Sequence, residues 1–78
     1  MLDMILKALA AKECKLLSYA ALDDTQAVVL VQREHPFHPF VTWKWYGASQ
    51  GLYHGRYFET REQALADFLD RIPVKVTA

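Results

Sequence analysis

The sequence predicts an α+β fold in which one helix precedes a four-stranded antiparallel meander and a second helix follows it. Three observations predict this fold. Residues 27–31 form a run of mostly β-branched apolar side chains, residues 40–46 and 52–58 are two aromatic segments joined by a glycine-flanked loop, and a capped amphipathic segment ends before Pro73. The predicted order is α-β-β-β-β-α, in a single domain that spans residues 1–78.

The length and composition of the chain indicate a small core made of large side chains. A domain of 78 residues buries only about 60% of its unfolded surface, so a stable core of this size needs large or shared side chains. The chain is 53% hydrophobic and contains two Trp, four Tyr and four Phe. This surplus of apolar surface is enough for a core and for an additional patch that a partner or a second copy would cover.

The first helix is predicted over residues 2–13, because apolar side chains recur there at helical spacing, at Leu2, Ile5, Leu6 and Leu9. The same pattern can be continued to Leu22 as one long helix, and this alternative stays open. We favour a strand over residues 15–22, because a charged pair interrupts the apolar stripe at residues 12–13 and Asp23-Asp24 is typical of a hairpin turn.

The second strand is predicted over residues 25–33 and, being apolar on both faces, at the centre of the sheet. The segment His35-Pro36-Phe37-His38-Pro39 follows as a loop, because proline lacks a backbone donor. The third and fourth strands are predicted over residues 40–46 and 52–58.

Two registers compete for the last hairpin. In the favoured one Tyr46 lies opposite Leu52, and Gly55 lies opposite Trp43, where the missing side chain makes room for the indole. The face on which the C-terminal helix is expected to pack then consists of Trp43, Trp45, Tyr53 and Tyr57. A slip by one residue would instead place Tyr53 opposite Lys44 and mix the two faces.

The second helix is predicted to begin after Thr60, which forms a capping box with Gln63, and to end before Pro73. Its apolar stripe consists of Ala64, Leu65, Phe68, Leu69 and Ile72, and the polar residues Arg61, Glu62, Asp67, Asp70 and Arg71 are expected to stay in water. Beyond the helix, Val74 and Val76 can extend an edge strand.

Charge and cysteine content exclude several classes of protein. Nine basic and nine acidic residues give a formal charge of zero, which removes the long-range field of a nonspecific nucleic-acid or membrane binder. Cys14 is alone, so no intrachain disulfide forms. With a poor signal peptide and no apolar run of membrane-spanning length, the expectation is a soluble cytoplasmic protein.

The candidate binding site is the other face of the last hairpin, where cations lie beside an aromatic side chain. Such a set suits a phosphate group or an acidic partner, although it equally describes a solvated sheet face. We predict that the partner-binding residues are Thr42, Lys44, Tyr46, His54 and Arg56.

No metal, cofactor or catalytic residue is predicted. His35, His38 and His54 lack the acidic or cysteine partners at the spacing that a metal site needs. Ser18 and Ser49 lie in no nucleophile motif. An enzyme is therefore the least favoured function.

The partners expected from sequence are a protein or a second copy of the chain. The first helix either packs beside the last one or docks on a second chain, and a homodimer and a monomer stay equal alternatives.

Residues 40–71 resemble small uncharacterised proteins carried by phages and other bacterial mobile elements. A looser resemblance is to the sheet-plus-helix DNA-binding domains of tyrosine-recombinase arms and plant ethylene-response proteins. It is carried by the strand end at residues 55–57, by Glu59 and Thr60, and by residues 62–64. The second resemblance implies that Lys44 and Arg56 enter the major groove, although the chain lacks the many Arg and Lys residues of those strands.

We predict a non-catalytic binding protein of mobile-element type that acts through protein contacts, with a DNA-binding module as the alternative.

Overall fold

The computed structural model describes residues 1–73, so the predicted strand extension at Val74 and Val76 lies outside the described residues. Its elements are α1 (Leu2–Ala11), β1 (Lys15–Ala21), β2 (Gln26–Gln32), β3 (Phe40–Tyr46), β4 (Gly51–Phe58) and α2 (Arg61–Asp70). The strands form one antiparallel sheet in the order β1-β2-β3-β4. This architecture confirms the predicted α+β fold and its α-β-β-β-β-α order.

Helix α1 ends at Ala11, and the alternative of one long helix to Leu22 is wrong. Glu13 adopts a left-handed conformation with φ of 56°, and the backbone N–H of Cys14 donates to the carbonyl of Leu9. This reversal satisfies a free carbonyl at the helix end and turns the chain into β1.

The helices cover opposite faces of the sheet. Ile5 and Leu9 of α1 pack with one face of β2 and β3, which carries Ala27, Val29, Val31, Val41, Trp43 and Trp45. Ala64 and Phe68 of α2 pack with the other face, which carries Val28 and Leu30. The expectation that α2 packs on the tryptophan face is therefore wrong, because α1 already occupies it.

The last hairpin combines both competing registers. At its open end Val41 pairs with Tyr57 and Thr42 with Arg56, as in the favoured register, whereas near the turn Lys44 pairs with Tyr53 and Trp45 with Leu52. A β-bulge opposite Trp43 absorbs the extra residue, and within it His54 is left-handed with φ of 57°.

Gly55 lies in the same bulge and lets the indole of Trp43 approach the backbone. A Cβ at position 55 would lie 2.5 Å from Nε1 of Trp43, closer than van der Waals contact allows. The predicted role of Gly55 is therefore confirmed, although the favoured register is wrong on the turn side of the bulge.

Helix α2 begins with the predicted capping box. The hydroxyl of Thr60 accepts a hydrogen bond from the backbone N–H of Gln63 at 3.2 Å, and the Gln63 side chain accepts from the backbone N–H of Thr60 at 3.4 Å. These contacts fix where α2 starts, and so where its side chains meet the sheet.

Candidate functional site

The site lies at the β4 edge of the sheet, on the side covered by α2. A shallow depression of about 280 Å³ is lined by Lys44, Tyr46, His54, Arg56 and Arg71. Four of these residues belong to the predicted partner-binding set, and the structure brings them together. Arg71 is the addition, contributed by the end of α2.

Thr42, the fifth predicted residue, is completely buried beneath α2. Its hydroxyl donates a hydrogen bond to Oδ2 of Asp67 at 2.6 Å. Thr42 was expected on an open sheet face, and this expectation is wrong because α2 packs there. Its hydroxyl instead fixes the carboxylate that holds the neighbouring arginines.

Asp67 connects the helix to the hairpin and organises the cations. Its Oδ1 accepts from Arg56 at 2.6 Å, and its Oδ2 accepts from Nε of Arg71 at 3.1 Å. The side chains of Asp67 and Arg71 are only 13% and 10% exposed. The prediction that both stay in water is therefore wrong, because this flank of α2 leans on β3 and β4.

The electrostatics of Asp67 favour its ionised form. Burial acts to raise the pKa of Asp67, but the hydrogen bonds from Thr42 and Arg56 and the charges of Arg71 and Arg56 outweigh it, so the pKa lies below the ordinary value for an aspartate. At neutral pH Asp67 is a carboxylate that accepts from three donors. It therefore holds the two guanidinium groups in fixed positions.

Arg71 also ties α2 to the bulge in β4. Its Nη2 donates to the backbone carbonyl of His54 at 2.5 Å. That carbonyl belongs to the left-handed residue of the bulge, so the bulge and the arginine support each other. In the sequence, the spacing of four residues between Asp67 and Arg71 on α2 indicates their ion pair but not the contact with His54.

Aromatic side chains form one wall of the depression. The Tyr46 ring lies 5.5 Å from that of Tyr53 and 6.1 Å from that of His54, both edge to face, and Nζ of Lys44 lies 5.5 Å from the Tyr46 ring. The bulge places Tyr53 here, whereas the sequence predicted it on the tryptophan face. The wall can contact apolar groups of a ligand while the cations attract its charge.

His35 of the proline loop has a structural role. Nδ1 of His35 accepts from the backbone N–H of Phe37 at 3.2 Å and of His38 at 2.9 Å, which closes a turn. Within residues 1–73 no group of three His, Cys, Asp or Glu side chains is arranged to hold a metal ion.

A second depression, of about 420 Å³, lies where α1 meets the end of β2. It is lined by Lys12, Glu13, Arg33 and Glu34, so its charges balance. Burial raises the pKa of the nearby Cys14 thiol, more than the charges of Arg33 and Lys12 lower it. This lowers the thiolate fraction and does not favour a nucleophilic cysteine.

Comparisons of the chain with protein-family models, curated proteins and solved structures find no match. The resemblances to mobile-element proteins and recombinase arms therefore stay predictions. Across residues 1–73, neither helix has the length and apolar character required to span a membrane.

Proposed function

We propose that this protein is a non-catalytic binding protein whose depression at the β4 edge binds an acidic segment of a partner protein. The observation that carries the proposal is the depression lined by Lys44, Arg56 and Arg71, in which the two arginines pair with the carboxylate of Asp67. These three cations and Asp67 together carry an excess of two positive charges, and Asp23 is a further carboxylate near Lys44. A carboxylate from a partner would reduce this excess.

The arginines are prepared for such a ligand because Asp67 and the His54 carbonyl already fix Arg71. Fixing a guanidinium before binding reduces the entropy lost when a ligand carboxylate pairs with it. Arg56 is more exposed, with 58% of its side chain accessible, and retains donors for a ligand. The Tyr46 and Tyr53 rings add the aromatic contact that protein interfaces favour.

The geometry supports a protein ligand better than a nucleic acid. Strong nucleic-acid binding uses about six to ten phosphate contacts, whereas this depression offers three cations. The sheet-face binding implied by the recombinase resemblance needs an open face, and here α1 and α2 cover opposite faces of the sheet. The formal charge of zero adds no long-range attraction for phosphate.

The test is a titration followed by backbone amide NMR. The probes are a ten-residue peptide rich in Glu and Tyr, its Gln-for-Glu counterpart and a short DNA duplex. We expect amide shifts around Tyr46, His54 and Arg56 with the acidic peptide, and a loss of affinity of about tenfold or more in Lys44→Gln/Arg56→Gln.

The control variant is Lys7→Gln/Arg61→Gln, which removes the same charge from exposed positions outside the depression and should leave the peptide affinity unchanged. Equal affinity for the acidic and Gln peptides would contradict the proposal. So would tighter binding of the DNA, or an equal loss in both variants.

A further inference from the structure

The β1 edge of the sheet differs in charge from the β4 edge, because β1 and the residue after it have no charged side chain from Leu16 to Leu22. Lys15 lies at one end of this apolar stretch and Asp23-Asp24 at the other. β1 is the terminal strand of the sheet, and an edge strand presents unpaired backbone N–H and C=O groups to any chain that aligns with it.

The flank of α2 on this side carries two exposed leucines beside Arg61 and Glu62. Asp67 and Arg71 contact Arg56 and His54, so their flank of α2 faces β4. Because successive helical residues are rotated by about 100°, Leu65 and Leu69 lie on the flank that faces β1. They are 40% and 56% exposed.

Helix α1 repeats this arrangement on the other face of the sheet. Met4 and Ala8 border Trp45 of β3, which places Leu2 and Leu6 on the flank towards β1. These two leucines are 40% and 44% exposed. The β1 edge thus combines a strand segment without charged side chains with two exposed leucines of α1. We call this set the β1 surface: residues 16–21, Leu2 and Leu6.

We propose that the β1 surface binds a second copy of the chain. The two β1 strands pair antiparallel across a twofold axis at Tyr19, so that the sheets of the two copies join into one. This twofold arrangement places Ser18 opposite Ala20 of the second copy. It also brings Lys15 next to the Asp23-Asp24 pair of the second copy, and the reciprocal contact forms by symmetry.

This charge complementarity is the reason to choose a second copy over another partner. Lys15 and Asp23 are both exposed, and reversing the strand direction brings opposite charges together at both ends of the pairing. Because a twofold axis perpendicular to the sheet keeps each face in place and α1 lies against β1, α1 meets α1 of the second copy and its exposed leucines are covered. Helix α2 lies over β2, β3 and β4 and stays farther from the axis.

The irregularity in β1 is compatible with this pairing. A bulge lies between Leu16 and Ser18, and the pairing with β2 is regular from Ser18 to Ala21. No residue of β1 has a positive φ. The regular part contains the proposed twofold centre at Tyr19.

The test is the mass of the full chain by light scattering between about 10 and 500 μM. We expect twice the chain mass of 9.0 kDa, and a dissociation constant raised about a hundredfold or more in Leu2→Lys/Leu6→Lys, because each leucine loses its apolar burial. The control is Phe37→Lys, at a residue 69% exposed in the proline loop, which should leave the dimer intact.

A charge exchange tests the register. Lys15→Glu alone should weaken the dimer, and Lys15→Glu/Asp24→Lys should recover part of the lost affinity, because the new lysine offsets the charge of Asp23 beside the new glutamate. A monomer at about 500 μM, a dimer that survives Leu2→Lys/Leu6→Lys, or a double exchange that recovers none of the lost affinity would each overturn the proposal. Amide NMR spectra of each variant verify that the fold is retained.

Discussion

The two edge strands of the sheet each contain a bulge, yet their surroundings differ. In β4 the bulge has a left-handed residue, His54, whose carbonyl accepts from Arg71, and charged side chains surround it. In β1 the bulge at Leu17 has no positive φ, and the neighbouring surface is apolar. The His54 carbonyl already accepts a hydrogen bond, which makes pairing of β4 with a further strand less favourable. The outer backbone groups of β1 remain available for pairing with another strand.

Under the two proposals above, the two edges bind different partners. The β4 edge holds its cations in place with Asp67 and suits an acidic ligand. The β1 edge suits self-association. The two proposals concern opposite sides of the molecule, so each can fail without the other.

The largest expected effect concerns the polar network of the β4 edge. Asp67→Ala should lower the free energy of unfolding by about 2–4 kcal/mol, because it leaves the buried Thr42 hydroxyl and the nearly buried Arg71 without their carboxylate. Urea unfolding measures this change. The matched control is Asp70→Ala, an exposed aspartate on the same helix, with an expected change within about 0.5 kcal/mol. Equal losses in both variants would show that the network does not stabilise the fold.

The second prediction compares the two bulges directly. Leu17→Gly should destabilise the fold by about 2–3 kcal/mol, because Leu17 packs against the α2 core. His54→Gly should be neutral or stabilising by up to about 1 kcal/mol, because glycine adopts φ of 57° without strain. Thermal unfolding of both variants makes the comparison. A loss at position 54 as large as that at position 17 would contradict the view that the left-handed conformation strains His54.

The smallest effect is a pH dependence that originates at the β4 edge. The pKa of Asp67 is lowered in the folded protein, so its contribution to stability is fully present above the unfolded value of about 4 and is lost as pH falls through the folded pKa. The wild-type urea midpoint should therefore decrease below about pH 4. Asp67→Asn should flatten this decrease, and Asp70→Asn should follow the wild type. An equally steep decrease in Asp67→Asn would assign the acid sensitivity to other carboxylates.

Much of the fold was predictable because local rules apply to it. The capping box at Thr60 and Gln63 marked the start of α2, and the apolar run in β2 indicated the central strand. The aromatic alternation from Phe40 to Tyr46 matched β3 at both ends. These signals depend on neighbours in sequence, so they hold whatever the tertiary arrangement.

The candidate site was predictable only in part. Lys44, Tyr46, His54 and Arg56 were identified because cations and an aromatic residue lie close together in one hairpin. Asp67 and Arg71 were missed because helical spacing places them beside the apolar stripe, where exposure depends on what the helix leans against. Thr42 was misplaced for the same reason.

The sequence by itself determined the order of the elements, most of their ends to within two residues and the alternation of side chains across β3. Only the tertiary structure decided which helix covers which face, because alternation separates two faces without assigning a partner to either. It also decided the register of the last hairpin. A bulge at His54 and Gly55 shifts the register by one residue, which allows both the close packing of Trp43 and the observed turn. This shift depends on contacts between residues that are distant in the chain.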